Sequence, residues 1–400
     1  MAAPKRPAIP RTVWALGIVS LFTDMGSEMV HSLLPILLVT GFGASALTIG
    51  LIEGSAEALV LVTKVFSGYL SDVLGKRKPL VLLGYGLATV VKPLFPLATS
   101  IAAITTARLL DRLGKGIRGA PRDALVADVT PVEIRGAAFG LRQSMDTVGA
   151  VLGPLIAVGL LWLWHDNIRM VLWVAVVPGL IAVLLLATLV KEPADVARRT
   201  ARLPISRKGL SRLGGSFWRL VALGSLIALA RFSEAFLVLR ASERGLALTW
   251  VPLVLVVMSI VYTLSAYPAG VLSDRVPRVW VLALGMFVLV LADVALAMAQ
   301  DWQLVFVGIA LWGLHMGLSQ GVLASMISDR VPAEYRGTAF GMFNLASGLA
   351  LLIASGGAGL LWDQISPAAT FWAGAGIALA GMVACMSMQD AAAAAPVKAN

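Results

Sequence analysis

The sequence predicts an all-α polytopic membrane protein with twelve transmembrane helices in two pseudo-symmetric six-helix bundles. Three observations predict this fold class: an apolar composition, twelve segments long enough to cross a bilayer, and a repeat that relates the two halves. Of the 400 residues, 58% are hydrophobic and 14% are charged, whereas a soluble domain is about half apolar and about a quarter charged. This composition excludes a disordered chain and a soluble nucleic-acid-binding domain. The single cysteine, Cys385, excludes an intrachain disulfide.

The turn signals and charge clusters divide the chain into segments of the length that a bilayer requires, which is about 20 apolar residues for a helix. The longest polar and basic stretch lies near the middle of the chain and reads as a linker. The predicted domains are a tail at 1–13, a bundle at 14–190, the linker at 191–216, a second bundle at 217–388 and a tail at 389–400. The predicted spans 1 to 12 are 14–40, 48–71, 79–98, 101–127, 137–164, 168–190, 217–240, 249–272, 278–298, 302–328, 338–362 and 368–388.

The positions of lysine and arginine predict the orientation of these spans. Most of the 32 basic residues lie in the amino-terminal tail, in alternate loops and in the linker, while the opposite loops carry only Arg169, Arg240 and Arg244. Because loops rich in Lys and Arg stay on the cytoplasmic side, we expect both termini and the linker in the cytoplasm of a bacterial-type inner membrane. The net charge of +10 is then a topology signal and an attraction to anionic lipid, with no nucleic-acid partner required.

An internal repeat relates the two halves of the chain. The stretch "ADVTPVEIRGAAFG" at 127–140 matches "SDRVPAEYRGTAFG" at 328–341, and "SGYLSDVLGKRK" at 67–78 is echoed by "AGVLSDRVPR" at 269–278. Two similar halves with the same orientation suit a transporter in which one half rocks against the other around a site at the membrane midplane.

Three features of the sequence resemble the major facilitator superfamily. The loop "GYLSDVLGKRK", Gly68 to Lys78, is similar to the signature between the second and third helices of that family, with Val73 where a basic residue is usual. Arg108 resembles the arginine of the family's fourth helix. "GAVLGPLIAVG" at 149–159 partly resembles the helix-five motif of antiporters, with Ala157 and Val158 where paired glycines are usual. The resemblance implies the major facilitator fold and a monomeric secondary transporter, similar to drug/proton antiporters.

The loop signature is expected to act as a conformational latch, because an aspartate at a helix end can pair with basic groups in one conformation and release them in another. The alternative is that the basic residues only mark the cytoplasmic side. The predicted latch residues are Gly68, Asp72, Gly75, Lys76, Arg77, Lys78, Asp128, Arg135, Asp274, Arg275, Asp329 and Arg336.

Charged residues form stripes within several predicted spans. An ionised side chain at mid-membrane costs about 2.5–3.5 kcal/mol, while a leucine returns only about 0.3–0.6 kcal/mol. On span 1, Asp24, Glu28 and His31 fall within about 60° of one another on a helix. Such stripes predict a water-accessible pathway or a network between helices. The predicted substrate and proton pathway comprises Asp24, Glu28, His31, Glu53, Glu57, Lys64, Lys92, Arg108, Asp111, Arg112, Arg142, Asp146, Arg231, Glu234, His315 and Asn344.

Three interpretations compete for the acids of span 1. In the favoured one, Asp24 or Glu28 exchanges protons, assisted by His31, which titrates near neutral pH. In the second, the acids are structural partners of basic residues on other spans, namely Lys64, Lys92, Arg108 or Arg112. In the third, Asp24, Glu28 and His31 bind a metal ion together with Met25 or Met29. The metal site is the weakest prediction, because both methionines lie about 100° around the helix from the acids.

The end of span 4 carries three further basic residues, Lys115, Arg118 and Arg122. We expect them near the cytoplasmic mouth, where anchoring in lipid headgroups is favoured over recruitment of anionic substrates.

The predicted function is secondary active transport of a small molecule or ion, coupled to protons and directed outward. The alternatives are transport of a metal ion or metal chelate, and a membrane sensor or scaffold that does not transport. Enzymatic motifs and a nucleotide-binding domain are not evident in the sequence, so we expect neither catalysis nor a cofactor.

Overall fold

The computed structural model describes residues 8–192, 213–331 and 335–393, and these residues form helices and no strand. Most of the predicted linker at 191–216 and parts of both predicted tails lie outside the described residues, as do the side chains of Asp329 and Arg336. The predicted fold class is confirmed. Eleven helices in the described part are long and apolar enough to cross a membrane. The twelfth span, Ile101–Val129, has 29 residues but carries a dense set of charges.

The chain divides into two compact units. Unit 1 comprises Met1–Phe42 and Ser55–Pro204, and unit 2 comprises Gly43–Gly54 and Ile205–Asn400. The first turns of the second helix thus group with unit 2. The helices of the first half are α1 (Arg11–Ile36, continued by a π turn at Leu37–Gly41), α2 (Ala46–Leu74), α3 (Lys78–Val91), α4 (Leu94–Leu97), α5 (Ile101–Val129), α6 (Arg135–Leu163), α7 (Ile168–Val174) and α8 (Val176–Leu189).

The second half has the same helical character. Its helices are α9 (Gly215–Ala230), α10 (Ala235–Glu243), α11 (Leu253–Arg275), α12 (Arg278–Met298), α13 (Trp302–Arg330), α14 (Arg336–Gln364) and α15 (Pro367–Ala393). The first turns of α5 and α13 are each capped by a side chain, because Ser100 accepts a hydrogen bond from the Ala103 amide and Asp301 accepts one from the Leu304 amide.

Three predicted spans are interrupted. Span 3 breaks between α3 and α4 at Lys92–Pro93, where proline has no amide to continue the ladder. Span 6 breaks at Ala175. Span 7 breaks between α9 and α10, where the Ser233 amide donates to the Ser355 hydroxyl instead of to its own helix. Arg231 and Glu234, which the sequence places on one helical face, therefore lie on either side of a break.

Close helix contacts in unit 1 depend on glycine. A Cβ atom at Gly149 would lie 2.4 Å from the Leu21 carbonyl oxygen, and one at Gly153 would lie 2.3 Å from the Met25 carbonyl oxygen. Residues with side chains cannot approach a neighbouring backbone this closely. These glycines belong to the stretch that resembles the helix-five motif, and in this structure they let α6 pack directly against α1.

Unit 2 packs around a cluster of aromatic side chains next to the break between α9 and α10. The Phe232 ring lies 5.3 Å from the Trp312 ring, 5.5 Å from the Phe236 ring and 5.6 Å from the Phe371 ring. Trp362 extends the cluster. Because aromatic side chains bury large apolar areas and favour tilted or edge-on contacts, the cluster packs the broken segment against α13 and α15 in this conformation.

Candidate functional site

The charged side chains predicted in the first half form a connected network in unit 1, carried by α1, α2, α3, α5 and α6. Its most buried part is the pair of Lys92 and Asp111. The Lys92 Nζ lies 3.5 Å from the Asp111 Oδ1 and donates to the Ser27 hydroxyl at 3.1 Å. The side chains of Lys92 and Asp111 are 1% and 7% exposed. Lys92 reaches this position because it sits at the break between α3 and α4.

A second pair joins α5 to α2. The Arg112 Nη1 lies 3.4 Å from the Glu57 Oε1, and the Arg112 Nε lies 3.8 Å from the Asp111 Oδ2. The Glu57 side chain is 34% exposed. Arg108, one helical turn earlier on α5, is fully buried, and Glu53 is buried in the part of α2 that groups with unit 2. Arg112 thus bridges a buried carboxylate and a partly exposed one.

The acids of α1 have different partners. The Asp24 Oδ1 lies 3.8 Å from the Arg118 Nη2, while the Glu28 Oε2 lies 3.3 Å from the His31 Nδ1 one turn away on the same helix. The side chains of Asp24, Glu28 and His31 are 20%, 19% and 11% exposed. The predicted face of span 1 is therefore present, and its carboxylates are paired yet partly accessible.

A third part of the network joins α5 to α6. The Arg142 Nη1 donates to the Asp146 Oδ2 at 2.6 Å, and the Arg142 Nε lies 3.7 Å from the Asp123 Oδ1. Arg122 lies 3.9 Å from Asp146 and 3.3 Å from Asp123. The Lys64 Nζ, on α2, lies 4.0 Å from the Asp123 Oδ2. Asp123 is therefore shared by three cations and was missed as a site residue by the sequence prediction.

The headgroup-anchor prediction for the end of span 4 is wrong for two of its three residues. Arg118 is 3% exposed and its guanidinium lies 4.5 Å from the centre of the Tyr85 ring. Arg122 donates to the Ser20 hydroxyl at 3.0 Å. The α5 helix turns these guanidinium groups inward, where carboxylates and an aromatic face satisfy them.

Lys115 is the third residue of that group. It is the cation that interacts electrostatically with all three accessible carboxylates, Asp24, Glu28 and Glu57. Within the part of the chain that the structure describes, the Lys115 side chain has no hydrogen bond or ion pair. It was left out of the predicted pathway, although its i+3 spacing from Arg112 would have placed it on the same face.

Three of the predicted latch residues meet in unit 1, where Arg77 lies between Asp72 and Asp128. The Arg77 side chain is 2% exposed, its Nη1 lies 2.5 Å from the Asp72 Oδ1, and its Nε lies 3.3 Å from the Asp128 Oδ2. The carboxylate of Glu192 accepts hydrogen bonds from the backbone amides of Arg77 and Lys78. Gly75 supplies the turn, with φ of +62°.

Other latch residues lie around this centre or in the second copy. The Arg135 Nε donates to the Thr130 carbonyl at 3.4 Å, and Lys76 is exposed. Asp274 and Arg275 of unit 2 are exposed and make no ion pair with any described residue. The structure thus brings Asp72, Arg77 and Asp128 together, while Lys76 and Arg135 make no ion pair with a described residue. Gly68 packs against Ala120 of α5, where a Cβ atom would lie 3.1 Å from the alanine methyl group.

The predicted pathway residues of the second half lie in unit 2, where Arg231 interacts electrostatically with His315. His315 is fully buried, with its Nδ1 2.7 Å from the Gly285 carbonyl oxygen. Arg231, Glu234 and Asn344 are partly exposed. Among the described residues, no group of three or more His, Cys, Asp or Glu side chains has the arrangement of a metal site.

Comparison with known proteins identifies the family. The model of the Major Facilitator Superfamily matches residues 16–257 and 235–399. The chain belongs to the Major Facilitator Superfamily. The resemblance seen in the loop signature is thereby confirmed, and the chain is a multi-pass integral membrane protein of a transporter family.

Relatives from the Major Facilitator Superfamily cover nearly the whole chain. An uncharacterised MFS-type transporter of Methanocaldococcus jannaschii is 31% identical over 378 residues, which is 93% of each chain. The inner membrane transport protein YajR of Escherichia coli is 27% identical and covers 96% of this chain and 84% of its own. The crystal structure of the peptide transporter POT superposes with a TM-score of 0.78 at 15% identity, covering 97% of this chain and 96% of that chain. This structural likeness supports the fold alone.

Proposed function

We propose that the chain is a secondary active transporter, and not an enzyme, that moves a small solute by alternating access. Protons are the coupling ion, and export by antiport is the direction. The protein works as a monomer in a bacterial-type inner membrane with both termini in the cytoplasm. The E. coli relative, an inner membrane transport protein by name, supports this location.

The observation that carries this proposal is that one cation, Lys115, interacts electrostatically with Asp24, Glu28 and Glu57. A charge within a membrane span is costly unless it faces a partner or a water-filled cavity. The Lys115 side chain has no hydrogen bond or ion pair with the described residues of unit 1, yet it interacts electrostatically with these three carboxylates. The arrangement suits a site in which a solute or a proton changes the pairing of these groups.

Exposure separates two sets of charges within the network. Lys92 and Asp111 are almost completely buried, so their pair suits a structural role. Asp24, Glu28 and Glu57 are 19% to 34% exposed, so water can reach them. Protonation of one such carboxylate would release its cationic partner, which is the change that couples a proton to solute binding. The structure therefore favours proton exchange at these acids together with ion pairing at the buried ones.

The direction of transport rests on the sequence motifs. Gly149, Gly153 and Pro154 match the antiporter motif of helix five, and the two glycines make the close contact with α1 described above. The latch around Arg77 supports alternating access, because its pairs with Asp72 and Asp128 can form in one conformation and open in another.

The test begins with a thermal-shift panel of drugs, organic acids, metal ions and siderophores on the purified protein. Compounds that stabilise it are then assayed in proteoliposomes with an imposed pH gradient. We expect Asp24→Asn and Glu28→Gln to abolish gradient-driven accumulation, whereas Asp301→Asn, which changes an exposed helix cap in unit 2, leaves it intact. If accumulation of the compound depends neither on the pH gradient nor on the two substitutions, proton coupling is refuted. A compound that binds but never crosses the membrane would favour a sensor.

A further inference from the structure

Unit 2 contains a carboxyl group that the charged network of unit 1 does not include. Asp293 lies within α12, one of the most apolar spans, with a mean hydropathy of 2.5. Its exposed fraction is 0%, and neither carboxyl oxygen has a hydrogen-bond partner in the part of the chain that the structure describes. Asp293 therefore contrasts with acids of the unit 1 network such as Asp111, Asp123 and Asp146, each of which has a cationic partner within 4.0 Å.

The surroundings of this carboxyl group are apolar and tightly packed. A Cβ atom at Gly374 of α15 would lie 2.7 Å from the Asp293 Oδ2 and 3.0 Å from the Phe232 Cε1. The carboxyl group and the Phe232 ring are therefore neighbours beside the α15 backbone. On the α13 side, a Cβ atom at Gly308 would lie 3.1 Å from the Ala292 carbonyl oxygen. Helices α13 and α15 and the segment between α9 and α10 thus enclose Asp293.

Among the described residues, the charged and titratable groups of the neighbouring elements do not pair with Asp293. Arg240 of α10 donates to the carbonyl oxygens of Leu296, Ala297 and Ala299 and to Glu243. His315 of α13 is bound to the Gly285 carbonyl. The other titratable groups with described side chains on the packed elements are Arg219, Arg231 and Glu234 at the broken span, Tyr262, Tyr267, Asp274 and Arg275 on α11, Arg278 on α12, Arg330 on α13 and Cys385 on α15. None of them makes an ion pair with Asp293.

An ionised carboxylate in this setting is strongly disfavoured. Burial of a carboxylate in a low-dielectric interior costs several kcal/mol even after relaxation, and a partner charge or hydrogen-bond donors must offset that cost. Asp293 has neither among the described residues. The side chain avoids the cost if it keeps a proton, because the neutral acid carries no net charge.

We propose that Asp293 is a proton-binding site of unit 2, held as the neutral acid in this conformation and shielded by Phe232. In the release step the carboxyl O–H bond breaks, the proton passes to water, and the carboxylate remains. Phe232 controls this step because it lies in the break between α9 and α10, a segment whose backbone can change conformation without breaking a helical ladder. As a second site for the coupling ion, Asp293 rests on the proposed proton-coupled transport.

Infrared difference spectroscopy tests the bound proton without any transported compound. We expect the purified wild-type protein at neutral pH to show the carbonyl stretch of a protonated carboxylic acid in an apolar environment. The band should be lost in Asp293→Asn, shifted in Asp293→Glu, and unchanged in the control Asp301→Asn. A wild-type protein without the band, or a band that survives in Asp293→Asn, would overturn the proposal. Asp293→Asn keeps the shape of the neutral acid, and Asp293→Glu keeps a carboxyl group. If one of these variants does not fold, the other alone still assigns the band to Asp293.

Deuterium exchange at the same band tests the shield. After transfer into heavy water, the band shifts when the acid proton is replaced. We expect Phe232→Ala to shorten the half-time of this shift, while Phe371→Ala, which removes another ring of the same aromatic cluster, changes it less. Equal half-times in the two variants would overturn the role of Phe232. These outcomes do not depend on solute transport, so failure at Asp293 and failure of the transport proposal are distinguishable.

Discussion

The buried pair of Lys92 and Asp111 allows a quantitative prediction about the stability of unit 1. The Lys92 ammonium has two partners, the Asp111 carboxylate at 3.5 Å and the Ser27 hydroxyl at 3.1 Å. Asp111→Asn removes the negative charge and leaves the ammonium buried with neutral partners only. Because both side chains are at least 93% buried, little solvent screening reduces the effect.

The magnitude follows from the cost of an unpaired buried charge. Removing one partner of a buried ion pair destabilises a protein by about 3–5 kcal/mol, whereas replacing both partners with uncharged groups is often close to neutral. Asp111 also lies 3.8 Å from the Arg112 Nε, so Lys92→Met leaves the carboxylate one cation and should cost less than Asp111→Asn. We expect the double variant Lys92→Met/Asp111→Asn to be more stable than Asp111→Asn alone, with a coupling energy of about 0.5–3 kcal/mol.

The measurement is the free energy of unfolding in mixed micelles, followed by circular dichroism for the wild type, both single variants and the double variant. Glu133→Gln serves as the control, because Glu133 is exposed and its substitution should change the free energy by less than about 0.5 kcal/mol. A result in which Asp111→Asn matches this control, or in which the two single effects add without coupling, would refute a structural ion pair at this position.

Three further substitutions have expected outcomes. Gly153→Ala should lower thermal stability, since a methyl group there would lie 2.3 Å from an α1 carbonyl oxygen, while Gly159→Ala, with nothing within 4 Å, should not. Asp363→Ala should destabilise unit 2 by about 0.5–2 kcal/mol in chemical unfolding, because its carboxylate caps the first amides of α2 at 3.0 and 2.9 Å, and Asp363→Asn should recover part of the loss. Arg77→Gln should increase proteolysis of the α2–α3 loop by trypsin, since it breaks both latch pairs; unchanged cleavage would contradict a latch in this conformation.

The sequence predicts the helical fold well because each span must satisfy its own backbone in lipid, and hydropathy alone reports this requirement. The sequence also predicts the polar face of α1, because helical geometry places Asp24, Glu28 and His31 on one side of the helix. The breaks within spans are harder to foresee. Pro93 signals one of them, but the break at Arg231–Glu234 depends on Ser355, more than a hundred residues away.

The spacing of charged residues along the sequence does not determine which side chains pair with one another in the network. The prediction assigned Arg118 and Arg122 to lipid headgroups at the cytoplasmic mouth, near the end of span 4. The observed helix, Ile101–Val129, ends close to the predicted boundary, but the two side chains turn inward and reach Tyr85 and Ser20. The direction that each side chain takes, rather than the helix boundary, decided the outcome, and it depends on neighbouring helices that are distant in the sequence.

The two units hold ionisable groups in apolar surroundings by different means, and the difference bears on function. A pair such as Lys92 and Asp111 is stabilised by mutual attraction, so a change in either partner is costly and the pair preserves its geometry. Asp293 has no such partner among the described residues, so it can avoid the cost of its charge only by binding a proton, and it can release that proton only when water reaches it. Paired groups therefore suit the framework of a transporter, while an unpaired acid beside a helix break suits a step that responds to conformational change. The acids Asp24, Glu28 and Glu57 are intermediate between a fully buried ion pair and an unpaired buried acid, because they are paired but partly exposed. Protonation of these carboxylates can therefore compete with their ion pairs.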